Sequence, residues 1–522
     1  MKALIPLTLV AVALFLIVTA PSTDADGEAV YFQEGYFEYQ STEDGIAEVL
    51  DYLENLGPED GNVVIPSSVT HEGKEYKVTA ILAYLDEPEI ITLRIPSTVE
   101  SLNVGSLVMD NLTQFYVDEG NTHYTAIDGV LFDITGQELL KFPSGREQGT
   151  YQVPSSTSII SADSFYKCKL KLVLLNKMLI KIGSQAFYLS PNLEEVKLDP
   201  SDPRETPLLT IIGDGAFNAC PRLSKIELPD SLEFLGSRAL YSTAIEEIIL
   251  PERLSHIGDA AFAMCDNLKT IDSRNDRFIV ENGVLYSLDR ELLCYPAKLE
   301  GDTFVVPQDI RSIAPYSFTH CSYLKSIVLN SVISIIEDDT FAWCTSLERI
   351  IMPGVMMIGN WAFEKCSNLK EVIFGDNIYS IGMYAFDSTG LTEFNVPDSV
   401  VTLGSWCFCD CANLKTVSFP ENSRAALNDR VFYGCTGLEK ITLNSTDLKL
   451  NNWCFSIGTD LEPATVVVEV VKGYSLPSKV ADEYTTLVVK NIGDHPYPYE
   501  NLIAVAFCVL ILIGILALVR EV

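Results

Sequence analysis

A stretch of seventeen residues, "IGNWAFEKCSNLKEVIF" at 358–374, recurs along the chain and constrains the fold more than any other feature. Copies in the same register begin at Ile212, Ile257, Ile313 and Ile336. Each copy carries an apolar residue at one fixed point, here called the register residue, and the series runs Phe165, Phe187, Phe217, Leu240, Phe262, Phe318, Phe341, Phe363, Phe386, Phe408, Phe432 and Phe455. Most neighbours in this series are 22 to 24 residues apart, with one interval of 30 and one of 56. A recurrence of this period predicts a repeat solenoid rather than several globular domains.

Each repeat predicts one coil with two walls. Leu369, Val372 and Phe374 turn inward from a short strand, which we expect to pair in parallel with the same strand of the next coil. The Ile-Gly-x-x-Ala-Phe segment predicts a short helical or turn segment on the opposite wall, with the ring filling the interior. Segments near 127–143 and 281–296 predict β-hairpin insertions between coils. No coil can bury its apolar side alone, so the coils are expected to stack.

The repeats resemble the BspA-like leucine-rich repeat family, also called the Treponema pallidum type, over roughly residues 62 to 455. The resemblance implies a leucine-rich repeat solenoid with one parallel strand in each coil of about 23 residues. It also implies a protein of a microbial cell surface that mediates adhesion or recognises a protein or a glycan. The alternative is a structural component of the cell-envelope coat without a specific ligand.

Both ends of the chain carry membrane-targeting signals. A lysine followed by an apolar run predicts a signal peptide at 1–25. The apolar run 502–519 contains 18 residues, which as a helix would cross a hydrocarbon core of ~30 Å. We therefore expect one C-terminal transmembrane helix and a single-pass surface protein with its N-terminal region outside. A signal for a lipid anchor is the rival interpretation of this end. The expected divisions are an N-terminal cap at 26–77, repeats at 78–458, a C-terminal cap at 459–490, a stalk at 491–501 and a cytosolic tail at 520–522.

The composition argues against several functional classes. The chain has 71 acidic and 36 basic residues, for a net charge of -35. Nucleic acid is therefore not an expected partner, because phosphate binding requires a basic surface. The five histidines are scattered, and no catalytic or phosphate-binding motif is present. We expect neither an enzyme nor a bound cofactor.

The cysteines follow the repeat. Eight of the thirteen stand three residues after a register residue, namely Cys168, Cys220, Cys265, Cys321, Cys344, Cys366, Cys411 and Cys435. This cysteine slot predicts a small buried apolar position rather than a disulfide framework. The cluster Cys407, Cys409 and Cys411 has neither a nearby histidine nor the paired spacing of a structural zinc site, so no metal is expected.

The candidate binding residues occupy the position two before the register residue, here called the outer slot. This slot is polar in several coils and should face solvent, as at Asp163, Gln185, Arg238, Asp339 and Arg430. In the C-terminal half it holds Tyr316, Trp361, Tyr384, Trp406 and Trp453. An aligned row of exposed rings predicts a platform for an extracellular protein or glycan. The competing interpretation is that the rings pack over one another and cover the coil edges.

Two further positions are candidates for modification. Asn111 begins an Asn-Leu-Thr triplet and Asn444 begins an Asn-Ser-Thr triplet. Both triplets match the acceptor pattern for N-linked glycosylation.

Overall fold

The chain winds into a solenoid whose coils each contribute to two β-sheet walls. The computed structural model describes residues 29–492 except 42, 44, 54–55, 203–205 and 473. Mostly longer strands form one wall, here called the strand wall, and two-residue strands form the other, here called the turn wall. The solenoid and its parallel pairing follow the prediction from the repeat.

The strand wall is built from parallel strands that carry inward-facing apolar residues at alternate positions. Its members are β4 (Asn62–Val64), β7 (Thr92–Ile95), β9 (Gln114–Val117), β13 (Thr150–Gln152), β15 (Leu172–Leu175), β17 (Glu195–Leu198), β19 (Lys225–Ile226), β21 (Glu247–Leu250), β23 (Thr270–Ser273), β27 (Thr303–Val305), β29 (Ser326–Val328), β31 (Arg349–Met352), β33 (Glu371–Phe374), β35 (Glu393–Asn395), β37 (Thr416–Phe419), β39 (Lys440–Leu443), β41 (Ala464–Val471) and β42 (Thr485–Ile492). Pairing runs through β4-β7-β9, β13-β15-β17-β19, β21-β23, β27-β29-β31-β33 and β35-β37-β39-β41-β42.

The turn wall repeats a parallel pair of residues just before each tight turn. Its members are β14 (Ile159–Ile160), β16 (Lys181–Ile182), β18 (Ile211–Ile212), β20 (Phe234–Leu235), β22 (His256–Ile257), β28 (Ser312–Ile313), β30 (Ile335–Ile336), β32 (Met357–Ile358), β34 (Ser380–Ile381), β36 (Thr402–Leu403), β38 (Ala426–Leu427) and β40 (Lys449–Leu450). Pairing is continuous from β14 to β22 and again from β30 to β40.

Antiparallel strands interrupt and cap the solenoid. Strands β10 (Tyr124–Ile127), β11 (Val130–Asp133) and β12 (Glu138–Lys141) lead into β14, and β24 (Phe278–Glu281), β25 (Val284–Ser287) and β26 (Glu291–Cys294) lead into β28 in the same way. The strands of the N-terminal sheet are β1 (Val30–Glu34), β2 (Phe37–Ser41), β3 (Ile46–Tyr52), β5 (Ser68–His71), β6 (Lys74–Ile81) and β8 (Ser101–Leu102). Their order is β1-β2-β3-β6-β5, with β8 paired to β6.

The register rings form the centre of the core. Phe363 is fully buried, and its ring stacks on Phe341 and on Phe386 with centroids 5.2 Å apart in each pair. On the strand wall, Ile350 and Met352 of β31 point inward and are 0% exposed. Each coil therefore buries its apolar residues against both neighbours, as a solenoid requires.

The turn wall is not helical, which corrects the prediction of helical segments there. In most turns the N–H groups of the outer slot, the register residue and the second residue after it donate to the next coil, as for Asp163 to Ser184 O at 3.2 Å and Phe165 to Ala186 O at 2.6 Å. These donors are used between coils, so a helical i to i−4 pattern cannot form. The 3-10 helix at Val104–Ser106 is the only helix assigned a range among the described residues.

The fold prediction also included a membrane helix, and this part finds no support. Within residues 29–492, as far as they are described, no helix is both long enough and apolar enough to span a bilayer. The predicted helix at 502–519 lies outside the described residues, as do the predicted signal peptide at 1–25, most of the stalk at 491–501 and the tail at 520–522.

Candidate functional site

The outer slot has the same backbone geometry in successive coils. Trp361, Tyr384 and Trp406 have φ values of 52°, 54° and 61°. The N–H of Trp361 donates to Met383 O at 2.9 Å, and that of Tyr384 donates to Ser405 O at 3.2 Å. A positive φ is unfavourable for side chains other than glycine, and these inter-coil hydrogen bonds hold the residues there. The result is that each side chain leaves the backbone at the same point of its coil.

The aligned side chains form a continuous stack across five coils, here called the outer-slot row. The ring centroids of Trp361 and Tyr384 are 6.0 Å apart at 7°, and those of Tyr384 and Trp406 are 5.7 Å apart at 13°. The guanidinium of Arg430 lies 5.2 Å from the ring of Trp406 and 5.0 Å from that of Trp453. Arg430 therefore takes the place of a ring and connects Trp453 to the other three aromatic residues.

The outer-slot row exposes ring edges more than ring faces. Trp361, Tyr384 and Trp406 are half-buried, and Trp453 is 41% exposed. Because neighbouring rings are nearly parallel, each covers a face of the next. Burial raises the pKa of the Tyr384 hydroxyl, so this group stays a neutral hydrogen-bond donor at ordinary pH. The rings do pack over one another, and they still leave a ridge of aromatic edges at the surface.

Tyr316 lies apart from the row. Its hydroxyl accepts a hydrogen bond from Arg238 at 3.0 Å, and its ring meets Tyr241 edge to face at 6.4 Å. The Arg238 guanidinium lies over both rings, 5.4 Å from Tyr316 and 5.7 Å from Tyr241. Asp339 occupies the outer slot between Tyr316 and Trp361, and burial raises the pKa of its carboxyl to about 6. The structure thus brings together four of the five predicted residues.

Sequence reasoning missed two features of this surface. It identified Arg430 only as a polar outer-slot residue and did not see that its cation continues the stack. It also overlooked a second slot, two residues after the register residue, where Trp343 is 41% exposed and stacks on His320 at 5.5 Å. This slot also has a positive φ, 62° at Trp343 and 61° at His320. This slot could have been found in the sequence, because it recurs with the same period as the outer slot, four positions further along each coil.

The cysteine slot is a hydrogen-bonding position as well as a small buried one. The Cys344 thiol donates to Phe318 O at 2.9 Å and the Cys366 thiol to Phe341 O at 3.1 Å. In the coil that carries serine at this point, Ser190 donates to Phe165 O at 2.9 Å. These carbonyls each accept a backbone N–H of their own coil as well, so the slot holds a small donor that gives a buried carbonyl of the preceding coil a second hydrogen bond.

Cys220 and Cys265 are buried thiols that stay protonated. All twelve described cysteines are free and buried. Burial raises the pKa of Cys265 to about 11 and that of Cys220 to about 12, so these thiols stay protonated. Asp387, Cys409 and Asp410 bring potential metal-ligand atoms within 4.8 Å of one another. Lys365 Nζ already lies 3.8 Å from the Asp387 carboxylate and offsets its charge.

The two sequon asparagines differ in environment. Asn111 is exposed, and its side-chain amide donates to Pro88 O at 3.0 Å. Asn444 is half-buried, and its backbone N–H donates to Phe419 O at 3.3 Å. Glycosylation of either residue stays a prediction.

A comparison with protein-family models identifies the repeats. The model described as "BspA type Leucine rich repeat region (6 copies)" matches residues 142–206, 204–300, 294–408 and 334–462, which together cover more than half of the chain. The chain belongs to the BspA-type leucine-rich repeat family. This confirms the resemblance drawn from the repeat motif. No curated protein matches the chain.

Solved structures of bacterial leucine-rich repeat proteins are similar to this BspA-type chain. A leucine rich cell surface protein from Faecalibacterium prausnitzii is 20% identical, with 80% of this chain and 96% of that one covered and a TM-score of 0.44. The pneumococcal vaccine antigen PcpA is 20% identical, with 88% and 98% covered and a TM-score of 0.41. A Treponema pallidum leucine-rich repeat protein is 26% identical, with 37% and 87% covered and a TM-score of 0.28.

Proposed function

We propose that this BspA-type protein acts at a cell surface and binds a partner protein through the outer-slot row. The observation that carries the proposal is the stack of Trp361, Tyr384, Trp406, Arg430 and Trp453 along one edge of the solenoid. Tryptophan, tyrosine and arginine are the residues most enriched among those that dominate binding energy at protein interfaces. A rigid stack also loses little side-chain entropy when a partner binds.

The geometry favours a protein over a sugar as the partner. A carbohydrate stacks its apolar face on an open aromatic face, whereas the facing ring surfaces of Trp361, Tyr384 and Trp406 cover one another at 5.7 and 6.0 Å. The exposed ring edges suit contacts with side chains and carbonyl groups. The acidic chain, with a net charge of -35, would add electrostatic attraction to a basic partner surface.

The proposal is tested on arrays of extracellular proteins and glycans. The full chain is compared with a variant that carries Trp361→Ala, Tyr384→Ala and Trp406→Ala. The matched control carries Asp163→Ala and Gln185→Ala, which change the same slot at φ values of 54° in the N-terminal half. We expect the wild type and the control to bind the same proteins, and the triple variant to lose at least about tenfold in affinity.

Two outcomes contradict this proposal. Equal binding by the triple variant would place the interface elsewhere, and retention of glycans alone would exclude a protein partner. The competing function is a coat component without a specific ligand. It would be favoured if the wild type bound nothing on either array.

A further inference from the structure

The strand wall is interrupted at two places where the turn wall continues. No strand pairing joins β19 to β21, or β33 to β35, in the part of the chain that the structure describes. The coil after each interruption has one residue fewer between its register residue and its strand, and it carries threonine in the cysteine slot, at Thr243 and Thr389. The coil of Phe165 is equally short but keeps Cys168, and there β13 and β15 pair.

The two interruptions differ in whether they are filled. At the second, the rings of Phe374 and Phe394 meet edge to face at 5.9 Å and bridge the two strands. At the first, β19 and β21 line an open cleft of about 1030 Å³. This volume is at the upper end of the range of about 300–1,000 Å³ that is usual for ligand-binding clefts. Pro200 and Pro207, from the coil with the 30-residue spacing, contribute to its lining.

The floor of the cleft is apolar and reaches the core. Leu198, Ile226 and Leu228 line it and are only half-buried. The residues at the positions of Ile226 and Leu228 in the coil of β31, Ile350 and Met352, are 0% exposed. Val372 and Phe374 hold these positions at the second interruption and are also half-buried, but there Phe394 packs against Phe374. At the first interruption the inward-facing side chains line the cleft and stay open to solvent.

The edge of β19 also lacks its usual backbone partner. In a complete pair, the residue after the strand donates to the next coil, as Leu329 N–H does to Ile351 O at 2.9 Å. Leu228 holds the equivalent position, and among the described backbone groups no carbonyl accepts its N–H. An extended polypeptide segment can bind an unpaired strand edge beside an apolar groove. Its backbone N–H and C=O groups pair with the edge, and its alternate side chains cover the groove.

The charges around the cleft are balanced, although the whole chain carries -35. Five cationic and six anionic residues line it, among them Lys197, Lys225 and Arg253 together with Glu195, Glu227 and Glu247. Such a rim does not repel a segment that carries charges of both signs.

We propose that this cleft binds an extended segment of a partner polypeptide, which adds as a parallel strand to the edge of β19. Alternate apolar side chains of the segment cover Leu198, Ile226 and Leu228, and polar residues between them meet the charged rim. The outer-slot row takes no part in this binding, so the two surfaces are independent.

The probe is a synthetic peptide with the sequence of residues 346–353, SLERIIMP, which contains β31. In the protein this strand pairs with β29 in the register that a neighbour of β19 would adopt. A second peptide carries N-methyl groups at Arg349 and Ile351, on the edge that would face β19. In the protein this edge faces the preceding coil, to which the Arg349 N–H donates. A third carries them at Ile350 and Met352, on the opposite edge. We expect the first and third peptides to bind the full chain and the second to bind at least about tenfold more weakly.

Two variants of the protein test the location. Replacing Ser242–Ala244 with Lys-Cys-Ser-Asn, the sequence at 365–368, restores the usual coil length and should close the cleft. The same replacement at Ser388–Gly390 is the matched control at the filled interruption. We expect the first replacement to reduce affinity for the probe at least about tenfold and the second to leave it unchanged.

Leu228→Lys is a point variant in the same cleft. Leu228 is half-buried, so the coil should stay folded when a lysine replaces it. We expect Leu228→Lys to weaken binding of the probe as much as the replacement of Ser242–Ala244 does. The proposal is overturned if the unmodified probe does not bind the wild-type chain, if the peptide methylated at Arg349 and Ile351 binds equally well, or if Leu228→Lys leaves the affinity unchanged.

Discussion

Phe363→Ala tests the stacked core on which the whole account depends. Phe363 is 0% exposed, and its ring lies between Phe341 and Phe386, at 5.2 Å and interplanar angles of 11° and 2°. Removing a fully buried ring costs about 3–5 kcal/mol through lost burial and the cavity left behind. Each stacked pair contributes roughly 0.5–1.5 kcal/mol beyond burial. Because two pairs are lost, we expect a cost in the upper part of that range.

The cost is measured by equilibrium unfolding in urea, followed by far-ultraviolet circular dichroism. Tyr323→Ala is the control, since Tyr323 is 49% exposed and its loss should change stability by less than about 0.5 kcal/mol. Amide hydrogen exchange should show the largest loss of protection in the coils next to Phe363. A cost of Phe363→Ala no larger than that of the control would refute the inward placement of the register rings.

Substitutions at three further residues probe the slots and two buried charges. Cys344→Ser should keep the donor to Phe318 O and cost less in urea unfolding than Cys344→Ala, which removes that hydrogen bond and leaves the carbonyl with the one from Cys321 N–H at 3.3 Å, at a cost of about 0.5–1.5 kcal/mol; equal costs would contradict the donor role. Burial lowers the pKa of Lys141 to about 8, so the unfolded chain binds more protons above that pH and stability should rise by up to about 3 kcal/mol between pH 8 and 10.5. Lys141→Met should abolish this rise, and an unchanged profile would contradict it. Burial raises the pKa of Asp339 to about 6, so its contribution to stability is complete below about pH 4 and is lost as the pH rises through 6; Asp339→Asn should flatten thermal-melting profiles over this interval, and an unaltered slope would argue against the shift.

The regular part of the fold could be predicted because one local pattern recurs. The period places Phe363 inside and Trp361 outside from their spacing alone, and the structure agrees on both. The turn wall was predicted less well, since its mixture of Gly, Ala and aromatic residues is compatible with a short helix. Its actual conformation depends on hydrogen bonds to the next coil, such as that from Trp361 N–H to Met383 O at 2.9 Å.

The parts that could not be predicted arise from differences between coils. The position of Arg430 between two indoles depends on how five coils align, and no single repeat shows it. The cleft beside β19 arises where two strands of the strand wall do not pair. The next coil is one residue shorter than usual, but coil length alone does not predict the cleft, because the equally short coil of Phe165 keeps its strand pairing. The cysteine slot was read as apolar because a thiol looks apolar in a sequence, whereas its donor role appears only beside the carbonyl it satisfies.

Hydroxyl-radical footprinting of the tryptophans, with a protein partner bound, tests the recognition surface most directly. Trp361, Trp406 and Trp453 belong to the outer-slot row, and Trp343 lies in the other slot with the same 41% exposure as Trp453. We predict that the partner slows oxidation of the three row tryptophans and leaves that of Trp343 unchanged. Unchanged oxidation at the row, or protection at Trp343 alone, would contradict the assignment of this edge as the binding surface.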